Sequence, residues 1–358
     1  MIVTDYQLQK ISLGFRRPWR TAAAEFRVRE GWLLTLRAGD CVGVGECTPL
    51  VEFGGPEDVA SAQQALKAAC AWLMEQSVPE PVAALERWLD ECEALHERPA
   101  SRHAVECALL DLIAQAEGVP LRRILGEQPR TTVPVNALLT AQSAAELATE
   151  GRAALAAGFT TVKVKVGVGP LELDVERLGA LRAAVGPDLR IRVDANGAWS
   201  ANEAMMHLRA LAPVGLELCE QPVPAADLDA LEAVRRAGIC PIAADEALVT
   251  GGLMLPTTKA DVLVLRPMVL GGLLRTVRLG WEAQRSGLRV FVASSLEGPV
   301  GRAAAAHAAA ALPDCGLAHG LATGALFLDE PPSWLTPVRG EIRFDDGGGL
   351  GSEEGRAA

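Results

Sequence analysis

Val162-Lys163-Val164-Lys165-Val166 places two lysines two residues apart inside a short apolar run. Three carboxylates follow at nearly even steps of 29, 26 and 25 residues from Lys165: Asp194, Glu220 and Asp245. Each step is about the length of one strand-helix unit, so all of these groups can sit at the same end of successive parallel strands. That arrangement gathers an amine and three hard oxygen donors around one point. Only five of the 34 Lys and Arg residues are lysine (Lys10, Lys67, Lys163, Lys165 and Lys259), so this strand uses an amine where the rest of the chain uses arginine.

The same rhythm extends outward. Short apolar runs occur at 133–138, 161–166, 189–194, 216–220, 241–245, 261–265, 289–293 and near 316–319, with Ala- and Leu-rich helical stretches between most of them. Eight parallel strands predict a closed α/β barrel. A doubly wound open sheet would carry a Gly-rich phosphate turn after its first strand, and Asn136-Ala-Leu-Leu-Thr140 is no such turn.

Residues 1–125 read differently. Alternating segments near 3–13, 26–38 and 41–46 predict antiparallel strands, broken by Gly31 and a Gly39-Asp40 turn. Helical periodicity then covers 56–76, 82–95 and 101–117, and Gly118-Val119-Pro120 stops the last helix. Strands followed by helices describe an α+β layer. The tail 325–358 contains Pro331-Pro332 and one returning strand at Glu341-Ile-Arg-Phe344, and is expected to pack back on that layer, with a frayed end from Gly347.

Composition narrows the function. A net charge of −11, a pI near 5.1 and the lack of a basic run exclude the footprint of a nucleic-acid binder. The expected partner is a small-molecule carboxylate, and homo-oligomerisation is left open. The eight cysteines form no C-x-x-C pair, which argues against a zinc framework or a disulfide scaffold. With no basic-apolar leader and no apolar run of about 18 residues, the sequence predicts a cytoplasmic protein without a membrane segment.

Central strands of parallel sheets bury both faces, so Lys163 and Lys165 are out of place unless they serve chemistry or the strand is a solvent-facing edge. Asp194 lies in Ile191-Arg-Val-Asp194-Ala-Asn196, where a helix N-cap is the ordinary alternative. Glu220 and Asp245 each end a run, and alone each would be a polar strand end. Three consecutive carboxylates at strand ends suit Mg²⁺, which favours oxygen ligands. None of the five histidines (96, 103, 207, 307 and 319) joins the series, which disfavours zinc.

Lys-x-Lys, Val193-Asp-Ala-Asn196, Glu220-Gln-Pro222, Ala244-Asp-Glu246 and Ser294-Ser-x-Glu297 together resemble the enolase superfamily, in its muconate-lactonizing-enzyme subgroup. The resemblance spans nearly the whole chain. It implies a modified TIM barrel, (β/α)7β, over 126–324, and an α+β capping domain over 1–125 completed by 325–358. It also implies Mg²⁺ on Asp194, Glu220 and Asp245, with Lys165 removing a proton α to a carboxylate and Lys163 adding positive charge.

Within the subgroup, Leu265-Arg-Pro-Met-Val-Leu-Gly-Gly272 and Ala293-Ser-Ser-Leu-Glu-Gly-Pro-Val-Gly301 look most like the o-succinylbenzoate synthases, hydro-lyases of menaquinone biosynthesis. The alternatives are N-succinylamino-acid racemases, dipeptide epimerases and a non-catalytic barrel. The subgroup usually has a second lysine where this chain has Arg266. Arginine keeps its proton at neutral pH, so a two-base racemase would lose a base, whereas a syn dehydration needs one. Asn196 and Arg20 are candidate substrate contacts, as are Ser294, Ser295 and Glu297. The last three enter a loop with Gly298 and Gly301 whose backbone amides could hold a distal carboxylate, a helix cap being the ordinary alternative. Two basic or Gly-rich segments, Gly14–Thr21 with Arg16, Arg17 and Arg20, and Cys47–Gly55 with Phe53, are candidate lids.

Overall fold

The computed structural model describes residues 1–20, 25–51, 55–74, 76–249, 252–255, 259–329 and 333–351. Three strands open the chain, β1 (Asp5–Arg20), β2 (Glu25–Ala38) and β3 (Cys41–Cys47), antiparallel in that order. The loop expected at Gly14–Thr21 is a correction: the chain is strand as far as Arg20. After a register shift at Gly14/Trp19 the ladder resumes, pairing Trp19 with Phe26 and Arg20 with Glu25. Thr21, the Arg20 side chain and Phe53 lie outside the described residues.

Four helices follow: α1 (Val59–Leu73), α2 (Leu85–Leu89), α3 (Pro99–Ala116) and α4 (Leu121–Leu125). Asp58 and Ser61 close a capping box at the start of α1, with hydrogen bonds of 2.7 and 3.0 Å. The helix expected over 82–95 shrinks to α2 flanked by single 3-10 turns. The helical path breaks at Cys92, whose backbone is extended.

Most of α3 is buried, because it lies between the antiparallel sheet and the barrel. Its approach to β3 depends on glycine. A Cβ on Gly45 would stand 1.9 Å from the Ala104 carbonyl oxygen, and one on Gly43 2.0 Å from that of Ala108.

The chain then enters the barrel: β4 (Thr132–Pro134), β5 (Ala137–Leu139), α5 (Ala144–Ala156), β6 (Thr161–Lys165), α6 (Leu171–Val185), β7 (Arg190–Asp194) and α7 (Ala201–Leu211). It continues through β8 (Leu216–Glu220), α8 (Leu228–Arg236), β9 (Ile242–Ala244), α9 (Glu246–Val249), β10 (Val262–Leu265), α10 (Pro267–Leu270), α11 (Leu273–Arg285), β11 (Arg289–Val292) and α12 (Pro299–Ala311). Strands β5 to β11 form one parallel seven-stranded sheet in sequence order.

The sheet's two edges are joined by residues 319–320. His319 bridges Val135 and Gly320 bridges Ala293, both in parallel. The eighth strand is therefore two paired residues rather than a ladder. The single run expected at 133–138 also changes partner midway. Pro134 has no amide hydrogen to extend a ladder; β4 pairs with the tail strand β12 (Glu341–Arg343), and β5 pairs with β6. Beyond β12 the tail reaches α3 and α4, with Leu350 donating to Asp111 at 2.8 Å and Arg122 to the Asp345 carbonyl at 2.8 Å.

Two buried glutamates join the antiparallel layer and its helices to the barrel. Glu46 of β3 accepts from the amides of Gly298 (2.6 Å) and Gly301 (2.9 Å) at the start of α12. Glu106 of α3 accepts from Leu273 (2.5 Å) and Leu274 (3.0 Å) at the start of α11. Each supplies the acceptor that orphan amides in a first helical turn require. Among the described residues, no helix is long and apolar enough to cross a membrane, and the eight cysteines are unpaired.

Candidate active site

Backbone register brings the series together. Lys165 is the Cα partner of Asp194, which in turn is the partner of Glu220. Asp245 follows β9 and Arg266 follows β10 at the same barrel end. The edge-strand alternative for the lysines fails, since β6 is paired on both sides and its lysine side chains are only 11% and 15% exposed.

Lys163 Nζ lies 2.7 Å from Glu220 Oε1 and 2.9 Å from Asp194 Oδ2. Lys165 Nζ lies 3.2 Å from Asp194 Oδ2 and donates to Asn196 Oδ1. Arg266 holds Asp245 in a two-pronged pair, Nε to Oδ1 at 2.7 Å and Nη2 to Oδ2 at 2.5 Å, and also donates to the Ser294 carbonyl. Bidentate pairing of this kind fixes geometry as well as charge.

Burial raises Glu220, to about 8, against the opposing Lys163 ammonium. Asp194 is equally buried, yet Lys163 and Lys165 outweigh that penalty and hold it well below the carboxylate range. Burial would lower Lys163, but Asp194 and Glu220 overcome it and keep the ammonium charged. The same contest, won by Asp245, keeps Arg266 protonated.

A cavity opens over this network. Its lining includes Lys163, Lys165, Asp194, Asn196 and Arg266, together with Ser294, Ser295, Thr323, Asn136, Gly320 and the apolar Leu50, Leu138, Phe291, Ala293, Leu296 and Ala322. Ser294 and Ser295 therefore face it as expected. Gly298 does not line it, because its amide is taken by Glu46; this corrects the expectation of a carboxylate-binding amide there. Glu297 turns inward and accepts from the Ser295 amide and from Ser294 Oγ at 3.3 Å, so it holds the serines rather than lining the cavity.

Sequence reading passed over two further residues. Asn136 lines the cavity with a buried Oδ1 that has no hydrogen-bond partner. Glu246 accepts from Asn196 Nδ2 at 3.0 Å and so orients the amide that receives Lys165. Glu246 is the last letter of the Ala-Asp-Glu motif, which was the available signal.

Magnesium fits the donor chemistry. Asp194, Glu220 and Asp245 are all buried at one barrel end, and Glu220 Oε2 is buried without a hydrogen-bond partner, a cost that a cation would remove. Their charge is here balanced by Lys163, Lys165 and Arg266. Among the described residues no three ligating side chains converge on one ion position: Lys163 sits on Asp194 and Glu220 and Arg266 on Asp245, and a cation would share those oxygens with them.

Residues 146–356 match the family described as Enolase C-terminal domain-like, and residues 20–112 match the MenC N-terminal domain. The L-Ala-D/L-Glu epimerase of Bacillus subtilis is 31% identical over 87% of this chain and 85% of its own length. The o-succinylbenzoate synthase of Thermobifida fusca is 43% identical over 60% of this chain and 67% of its own. A dipeptide epimerase from Methylococcus capsulatus, solved with Mg and the dipeptide L-Arg-D-Lys, superposes with a TM-score of 0.87 at 29% identity, covering 98% of this chain and 99% of that one. The chain is an enzyme of the enolase superfamily, in the subgroup that contains the muconate-lactonizing enzymes.

Proposed function

We propose that the chain is a Mg²⁺-dependent carbon-oxygen lyase, an o-succinylbenzoate synthase. It would convert 2-succinyl-6-hydroxy-2,4-cyclohexadiene-1-carboxylate to o-succinylbenzoate by syn dehydration. The observation that carries this reading is the charge and layout of the cavity. Lys163 and Lys165 stand on β6, and Arg266 follows β10, four strands away around the barrel. A dianion finds the protonated Lys163 and Arg266 there, and among the described lining residues the β6 wall offers, in Lys165, an amine able to accept a proton, with no such amine on the β10 wall.

Lys165 takes the proton α to the carboxylate, breaking the C–H bond. A divalent cation on Asp194, Glu220 and Asp245 would add positive charge at the substrate carboxylate. Lys163 and Arg266 remain protonated and supply further positive charge. The resulting Lys165 ammonium passes its proton to the departing hydroxyl; the C–O bond breaks, the ring becomes aromatic and water leaves. Asn196, held by Glu246, keeps Lys165 Nζ aimed.

The epimerase relatives support a second reading, racemisation or epimerisation of an acylated amino acid or a dipeptide. A dipeptide brings an ammonium group, and the only carboxylate among the described lining residues is Asp194, already paired with both lysines. That favours a substrate without an ammonium. The test is incubation of the purified protein with Mg²⁺ and the cyclohexadiene carboxylate, following the aromatic product by absorbance. Turnover is expected, with Lys165→Ala slower by about 10²- to 10⁴-fold, the range of general acid-base catalysis. No product from the metal-loaded native protein would refute the reading.

A further inference from the structure

Gln221, the middle residue of Glu220-Gln-Pro222, is buried and takes no part in the chemistry above. Its backbone sits at φ +39°, in the left-handed region that non-glycine residues rarely occupy. Such a conformation persists where surrounding contacts enforce it, and here every polar group of the residue is engaged. Its amide donates to the Ala243 carbonyl at 2.9 Å, and its own carbonyl accepts from Gly197 at 2.7 Å. The side-chain Oε1 accepts from the amides of Asp245 (3.0 Å) and Ala247 (3.1 Å), and Nε2 donates to the Val223 carbonyl at 2.8 Å.

These bonds tie together three successive strand ends. Gly197 follows Asp194 on the β7 side, Gln221 follows Glu220 directly, and Asp245 itself hangs from Oε1. The side chain of Glu220 and that of its neighbour thus divide the work: one is a candidate ligand, the other fixes the backbone that carries the next ligand. We infer that Gln221 is a positioning residue that sets the spacing of Asp245 relative to Glu220 and Asp194, and through it the affinity for a divalent cation. The inference rests on the reading that these carboxylates bind metal.

Binding of Mn²⁺ alone, measured from the electron paramagnetic resonance signal of the free ion, tests it without an activity assay. Gln221→Met keeps the length of the side chain and removes the acceptor; about tenfold weaker binding is expected, the size of effect seen when a ligand loses its supporting contact. Gln221→Glu keeps the acceptor and is expected to bind more tightly than Gln221→Met by at least about threefold. Thr161→Val changes an equally buried side chain at the start of β6, whose Oγ1 has no partner, and is expected to bind as the native protein does.

Circular dichroism establishes that each variant is folded. If Gln221→Met does not fold, Gln221→Asn replaces it, since its shorter chain cannot reach both amides. Native-like Mn²⁺ affinity in a folded Met or Asn variant would overturn the inference while leaving the metal site standing. No Mn²⁺ binding by the native chain would overturn both.

Discussion

Arg266 separates two chemistries at the scale of a single side chain. Its guanidinium is held protonated by Asp245, so it can supply charge but not exchange protons. Arg266→Lys shortens the group and frees Asp245 from a bidentate partner. The variant is expected to gain deuterium exchange at the α-carbon of both enantiomers of an N-succinylamino acid, read by proton NMR in D₂O; exchange still confined to one enantiomer would count against a latent second base. Asn136 offers a simpler case. Its unpartnered Oδ1 faces the cavity, so Asn136→Ala is expected to raise KM several-fold, about 1 kcal/mol for one neutral hydrogen bond, with little change in kcat.

Lys163, Lys165, Asp194, Glu220 and Asp245 were legible because strand ends one unit apart repeat in the sequence. Glu46, Glu106 and Asn136 were not. Glu46 meets its partner 252 residues away and Glu106 167 residues away, and no local pattern records such contacts.

Among elements, the parallel strands were readable as apolar runs, while their pairing was not. The run at 133–138 divides between two partners because Pro134 cannot extend a ladder, and the eighth barrel position is filled by His319 and Gly320 alone. The basic segment at Gly14–Arg20 looked like a loop because arginines and a proline interrupt its alternation, yet the strand persists and its pairing with β2, interrupted after Gly14, resumes at Trp19. The seat of α3 on β3 gives a sharp test at this scale. Gly45→Ala would set a Cβ against the Ala104 carbonyl at 1.9 Å, so the helix must move away. The expected loss is about 3 kcal/mol, the upper part of the range for overpacking, measured by urea unfolding.

Across the whole molecule, buried carboxylates make stability depend on pH: Glu106 joins the N-terminal helices to the barrel, and Glu297 holds Ser294 and Ser295 within it. Burial raises Glu106 and Glu297 to about 7 from 4.5, against the pull of Arg102 on Glu106 and adding to the repulsion of Glu46 on Glu297. Both groups hold a proton more readily folded than unfolded. Their stabilising contribution is therefore fully present below the unfolded pKa of 4.5 and is lost as pH rises through about 7. Glu297→Gln mimics the neutral form, so its melting temperature is expected to gain on the native protein between about pH 5 and pH 8, by up to about 3 kcal/mol in stability. A difference that does not change with pH would show that Glu297 is not titrating there.

Under the proposed function this barrel works with one base, Lys165, and eliminates water rather than inverting a stereocentre. The most direct measurement is solvent exchange: native, Mg²⁺-loaded protein is incubated in D₂O with each enantiomer of an N-succinylamino acid in turn, and loss of the α-proton signal is followed by NMR. One-base chemistry predicts exchange in a single enantiomer, abolished in Lys165→Ala. Exchange in both enantiomers by the native protein would contradict it.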